Sequence, residues 1–97
     1  MGYFVYIIQS KADQSFYIGS TVNTEARINF HNKGLQRYTK AKRPWELVCK
    51  EEFQTKKEAL LREKTIKRKK SKKYIEWLIE EKSHKNNKSN TNNVIAG

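Results

Sequence analysis

Tyr3-Phe4-Val5-Tyr6-Ile7-Ile8, followed after a polar run by Phe16-Tyr17-Ile18-Gly19, is the stretch on which the fold turns. The first segment is aromatic and β-branched, the composition of a strand covered on both faces, and it ends in Gln9 to Ser15 with Asp13 as turn former. The second reads as its hairpin partner. Directly opposed residues of an antiparallel pair share a face, so a register that sets Tyr6 opposite Tyr17 or Gly19 puts both tyrosines on one side of the sheet.

Outward from the hairpin, Thr21 to Asn32 has the marks of a helix. Asn23 is a good N-cap, Glu25 suits the first turn, and Asn32-Lys33-Gly34 supplies a glycine stop. Arg27 and His31, four residues apart, share one face and can reach a common partner. Leu35 to Trp45 reads as a basic loop holding Arg37, Lys40, Lys42, Arg43 and the only proline, Pro44. The β-like centre of Glu46 to Phe53 predicts a third strand, with Cys49 a small buried hydrophobe.

Thr55 and Glu58 have capping-box spacing and open a helix that runs to about Lys69. Ala59, Leu60 and Ile66 define its apolar arc, and Glu63 falls inside that arc. A carboxylate turned toward a core is costly unless neutralised, ion-paired or metal-bound. Glu63 is therefore either the partner of a cation such as Arg62 or Lys67, or a metal ligand. A last helix, Ser71 to Glu81, is expected to bury Tyr74, Ile75, Trp77 and Leu78.

The chain has 97 residues, with 21 Lys and Arg against 10 Asp and Glu, a net charge of +11. That length admits one domain and excludes a large multi-layer enzyme. Residues 1–81 are expected to form the domain; 82–97, with five Asn and three Lys, read as a disordered basic tail. The charge is uneven, +3 for residues 1–53 and +8 for 54–97, and eight of the twelve residues from Arg62 to Lys73 are basic. Such density suits phosphate contact, although a solvated helix face is the plainer alternative. The candidate nucleic-acid contacts are Arg37, Lys40, Lys42, Arg43, Lys67, Arg68, Lys69, Lys70, Lys72 and Lys73. The run Tyr3 to Ile8 is too short for a signal peptide or a membrane span, and one Cys with two His makes neither a disulfide nor a zinc tetrad. The expectation is a cytoplasmic protein with no membrane partner and no small-molecule cofactor.

Hydrolysis of a phosphodiester needs a group to take the attacking water's proton, cations to stabilise the pentavalent phosphate, and usually a divalent metal. Tyr6, Tyr17, Arg27, His31 and Glu63 fit those roles together, although singly each has an ordinary reading as strand aromatic, exposed helix pair or ion-paired carboxylate. No cluster of three or four acidic residues suggests two metals. A single Mg²⁺ or Mn²⁺ held by Glu63 and waters is the consistent version.

These residues resemble the GIY-YIG nuclease superfamily over roughly residues 3 to 79, and in particular its small single-domain bacterial members. Tyr17-Ile18-Gly19 is the second signature, and Val5-Tyr6-Ile7 stands where the first would be, with Val in place of Gly. Arg27 lies ten residues after Tyr17, His31 four after Arg27, and Glu63 in a helix after the third strand, in the family's order. A lone tripeptide would mean little, but five positions in order are fairly specific. The segment Arg43 to Val48 and Arg62-Glu63-Lys64 also match the small members. Ser20 stands where DNA-repair members carry Lys, and no Asn follows Glu63 before Asn86.

The resemblance implies an α+β fold, a small three-stranded antiparallel sheet flanked by about three helices. By the same analogy Tyr17 would be the general base or orient the water, Tyr6 would support it, Arg27 and His31 would hold the phosphate, and Glu63 would bind the metal. The leading expectation is a metal-dependent endonuclease acting on DNA rather than RNA, weak and selective for structure. The alternative is a catalytically degenerate nucleic-acid-binding module using the basic C-terminal helices. A small basic protein docking on an acidic protein or ribosomal surface is the third.

Overall fold

Strand order in the computed structural model, which describes residues 2–87, puts the first strand in the middle of the sheet. β1 (Tyr3–Ser10) pairs antiparallel with β2 (Phe16–Thr21) on one side and with β3 (Trp45–Phe53) on the other. Tyr6 faces Gly19 and Ile8 faces Tyr17, so both tyrosines lie on one face, as the hairpin reading requires. Between β2 and β3 lie α1 (Thr24–Asn32) and a four-residue helix α2 (Arg37–Lys40); α3 (Lys56–Lys69) and α4 (Lys72–Asn87) follow β3. The architecture is the expected α+β one with three antiparallel strands. Four helices are present among the described residues, since the stretch from Leu35 to Trp45, read as a loop, contains α2.

Val5, Tyr6, Ile7 and Ile8 are all buried, because a central strand covered on both faces has no solvent side. Val5 and Ile7 pack with Cys49, Ala59, Ile66, Ile75 and Leu78 under α3 and α4. Tyr6 and Ile8 pack on the opposite face with Trp45, Tyr17 and Ile28. Cys49 is thus the buried hydrophobe expected of it. The β1–β3 register shifts between Ile7 and Ile8, with Ile7 opposite Cys49 and Ile8 opposite Leu47, which leaves Val48 as the extra residue of a bulge.

Local chemistry sets the helix ends. The Asn23 side chain accepts from the Ala26 amide at 3.0 Å, and Gly34, at φ 76°, takes the left-handed conformation that a glycine stop supplies. In α3, Thr55 Oγ1 accepts from the Glu58 amide at 3.1 Å while Glu58 Oε1 accepts from the Thr55 amide at 3.3 Å, the reciprocal box the spacing predicts. α3 stops at Lys70, in left-handed geometry, and Ser71 accepts from the Tyr74 amide as α4 begins.

Four expectations are corrected. Leu60 is 47% exposed and Trp77 is 54% exposed, because a three-stranded sheet is too narrow to cover the whole apolar arc of either helix; Ala59, Ile66, Ile75 and Leu78 fill it. α4 also continues past Glu81 to Asn87, into the stretch read as a tail; the remainder of that tail reading lies outside the described residues. Arg62, counted with the basic run, instead turns to β3. Its Nε donates to Glu51 Oε1 at 2.8 Å and its Nη2 to Oε2 at 3.1 Å, while Nη1 donates to the Tyr74 hydroxyl at 3.3 Å. These bonds keep the Arg62 guanidinium firmly protonated.

Candidate active site

Tyr6, Tyr17, Gly19, Ser20, Arg27, Phe30, His31, Gln36 and Glu63 line one pocket of about 260 Å³. It is built by β1, β2, α1, α3 and the residue that precedes α2. All five residues read from the sequence as catalytic candidates are among its walls.

Tyr6 and His31 form its floor. The Tyr6 hydroxyl lies 2.9 Å from His31 Nε2, and His31 Nδ1 lies 2.9 Å from Thr39 Oγ1; both contacts are buried. Thr39 has the Gln36 carbonyl, 3.4 Å away, as acceptor for its own proton. Burial pushes the Tyr6 phenol well above the ordinary tyrosine range, with the neighbouring Tyr17 adding to the rise. Burial also pushes the His31 pKa down, helped by the positive charge of Arg27, so the ring is neutral near pH 7. His31 is 1% exposed and both its ring nitrogens are taken within the protein. A neutral imidazole has one N–H to give, and here both ring nitrogens face protein oxygens.

The other walls are more open. Gln36 Nε2 donates to the Tyr17 hydroxyl at 3.1 Å, and the Tyr17 ring meets His31 edge-on at 5.0 Å between centroids. The Arg27 guanidinium lies 4.9 Å from the centre of the Phe30 ring, one helical turn away, which steers it along the pocket wall. Glu63 reaches the pocket from α3, its side chain 16% exposed, with the Lys67 ammonium 2.7 Å from Oε2. The sequence leaves Glu63 a choice between ion pair and metal ligand; the ion pair is formed, with a partner that is half exposed. Among the described residues no group of three or more His, Cys, Asp or Glu could hold a metal ion.

Gln36, Phe30 and Thr39 escape the sequence reading. Gln36, the N-cap of α2, and Thr39 within it brace Tyr17 and His31; the four-residue helix is too short to show a period, and only their three-residue spacing hints at a shared face. Thr39 is fully buried, and its carbonyl accepts from Trp45 Nε1 at 2.9 Å.

A family description, the GIY-YIG catalytic domain, matches residues 2–75. The chain belongs to the GIY-YIG family. Among relatives of this GIY-YIG chain, a UPF0213 protein of Staphylococcus haemolyticus is 50% identical over 66 residues, covering 67% of this chain and 79% of the relative. The UPF0213 protein YazA of Bacillus subtilis is 42% identical over 78 residues, 76% of this chain and 78% of its own length. The solution NMR structure of the UPF0213 protein BH0048 from Bacillus halodurans superposes with a TM-score of 0.53 at 34% identity, covering 82% of this chain and 84% of that one.

The ten candidate nucleic-acid contacts of this GIY-YIG domain fall into two groups. Arg37 and Lys40 are exposed on α2, Lys42 is half-buried and salt-bridged to Asp13 at 2.7 Å, and Arg43 Nε donates to the Lys40 carbonyl at 2.8 Å. The bond to Asp13 raises the Lys42 pKa and holds the Asp13 carboxyl far below the usual range. Lys67, Arg68, Lys69, Lys70, Lys72 and Lys73 are exposed where α3 passes into α4. The Lys69 ammonium lies 5.2 Å from the centre of the Tyr74 ring. No helix among the described residues is long and apolar enough to cross a membrane.

Proposed function

We propose that this GIY-YIG chain is a cytoplasmic, divalent-metal-dependent endonuclease that hydrolyses DNA phosphodiester bonds. The observation that carries the reading is the convergence of Tyr6, Tyr17, Arg27, His31 and Glu63 on one pocket.

The hydrogen-bond chain suggests how these residues divide the work. With Thr39 donating to the Gln36 carbonyl, the tautomer that satisfies every group has His31 protonated on Nδ1, donating to Thr39, and Tyr6 donating to Nε2. The lone pairs of the Tyr6 oxygen then face the pocket. As water attacks phosphorus and the P–O bond to the leaving sugar oxygen breaks, the water's proton passes to the Tyr6 oxygen while the Tyr6 proton passes to His31 Nε2, and the departing alkoxide takes a proton from solvent. The relay keeps the phenol neutral throughout and requires an imidazole that starts neutral. Tyr17, whose oxygen accepts from Gln36, keeps its own O–H to orient the water or a phosphate oxygen. Arg27 holds the phosphate charge.

The donor set fits one hard cation of the Mg²⁺ or Mn²⁺ kind, which is content with one carboxylate, waters and phosphate oxygens. Glu63 would hold it once Lys67 turns aside. When bound, such a cation supplies charge neutralisation at the phosphate.

The test is incubation of the protein with nicked, branched and plasmid DNA in Mg²⁺ or Mn²⁺. Chelator-sensitive cleavage that disappears in Glu63→Ala and drops sharply in Tyr17→Phe is expected. Cleavage that survives both substitutions sinks the reading. The Glu63–Lys67 ion pair favours one second reading, a nucleic-acid-binding module that does not cut: binding would then fall with salt and with Lys72 or Lys73 substitution, and Glu63→Ala would leave it intact or stronger.

A further inference from the structure

Tyr38 is the aromatic residue of α2 and lies, with Arg37, between two braces of the site without bracing it. Gln36, two residues before it, donates to the Tyr17 hydroxyl; Thr39, the next residue, is fully buried and bonds His31 and Trp45. This short helix is therefore pinned to the site at two points. Tyr38, by contrast, is 57% exposed. Its ring lies 6.1 Å from that of Tyr17 at an angle of 35°, and the Lys42 ammonium, itself tethered to Asp13, lies 5.7 Å from its centre. Arg37 and Lys40 flank it, both exposed.

An exposed aromatic ring gains nothing from burial in the free protein, and a ring held on a braced turn loses little freedom when something stacks on it. A basic surface with an aromatic ring set into it is the arrangement that holds an unpaired base: the cations take the backbone phosphates and the ring takes the base, whatever its identity. A base inside an intact duplex is already stacked on both sides and has no face to offer.

We propose that Tyr38 is a stacking platform for a nucleobase displaced from the duplex beside the bond to be cut, and that it makes this chain selective for branched, bulged or single-stranded DNA. The inference rests on the endonuclease reading and adds the substrate feature that the site selects.

Binding measured in chelator, so that nothing is cut, separates the two. Fluorescence titrations would compare a perfect duplex with the same duplex carrying one bulged 2-aminopurine, using the native protein and its Tyr38→Ala, Tyr38→Phe and Tyr38→Trp variants. The native protein is expected to prefer the bulged DNA and to quench the probe. Tyr38→Ala should weaken binding to the bulged DNA about tenfold or more and leave the duplex affinity unchanged, while Phe and Trp retain both preference and quenching. Circular dichroism would confirm that each variant is folded. Equal loss on both DNAs, or on neither, overturns the platform; if the native protein still shows chelator-sensitive cleavage, the endonuclease reading stands without it. A native protein that neither binds nor cuts any of these DNAs overturns both.

Discussion

The Tyr6 hydroxyl fills the space that a side chain on Gly19 would need. A Cβ there would sit 2.5 Å from the hydroxyl oxygen and 2.7 Å from the ring carbon that carries it. Gly19 faces Tyr6 directly across the β1–β2 ladder, so the glycine of the second signature is a matter of room for the phenol. Gly19→Ala is expected to cost about 1–3 kcal/mol in urea denaturation, the usual range for overpacking, and to pull Tyr6 off His31 so that cleavage falls with stability. In a Tyr6→Phe background the stability cost should shrink without vanishing, since the ring carbon still crowds the methyl. An unchanged cost in that background would count against the explanation.

Stability should respond to acid through His31. Burial, and then Arg27, hold its folded pKa below the ordinary 6.5. Between the folded and unfolded values the unfolded chain binds more protons, so stability rises with pH across that window. The contribution is complete above about pH 6.5 and is lost as pH falls below it. His31→Gln, which can still bond Tyr6 and Thr39, is expected to flatten the slope of the denaturation midpoint with pH below about 6.5. If the relay operates, cleavage by the native protein should also fall on the acid side. A variant with the native slope would remove His31 from the account.

Much of this architecture was legible because the hairpin is local and its composition points one way. The run Val5 to Ile8 announces a strand with two covered faces, and the facing of Tyr6 and Tyr17 follows from period-two geometry. α2 was not legible, since four residues of mixed polarity carry no period and a basic segment with a proline reads as loop. Periodicity places Leu60 and Trp77 on apolar arcs but cannot say how wide a surface the sheet presents. Partners distant in sequence were the other gap. The basic run contains Arg62, but nothing in it points to Glu51, which lies on β3. Gln36 and Thr39 become visible as braces only once the fold sets them against Tyr17 on β2 and His31 on α1.

The Lys67–Glu63 pair is expected to act as a brake on the site. Lys67 is half exposed, so the pair is worth only about 0.3–0.5 kcal/mol of stability, and Lys67→Gln should move the urea midpoint little. The same ammonium competes for the carboxylate proposed to hold the cation. Lys67→Gln should therefore tighten Mn²⁺ binding several-fold in calorimetry and lower the metal concentration needed for half-maximal cleavage. Looser metal binding in the variant would show that Lys67 orients Glu63 rather than blocking it.

Arg62 should behave as a structural residue despite standing in the most basic stretch of the chain. Its guanidinium clamps Glu51 through two bonds, with side-chain exposures of only 25% and 13%. Removing it leaves a largely buried carboxylate without its cation, so Arg62→Ala is expected to cost about 2–3 kcal/mol. Glu51→Ala and the double variant should reveal coupling of about 1–3 kcal/mol, as for groups that share bonds. DNA binding supplies the contrast. Lys72 and Lys73, exposed at the start of α4, should each lower the slope of log affinity against log salt by about 0.9 when replaced by Ala if they meet phosphates. Arg62→Ala should leave that slope unchanged, because its charge is spent within the fold. A reduced slope in the Arg62 variant, with the Lys72 and Lys73 variants unaltered, would reverse the assignment of which cations face the DNA.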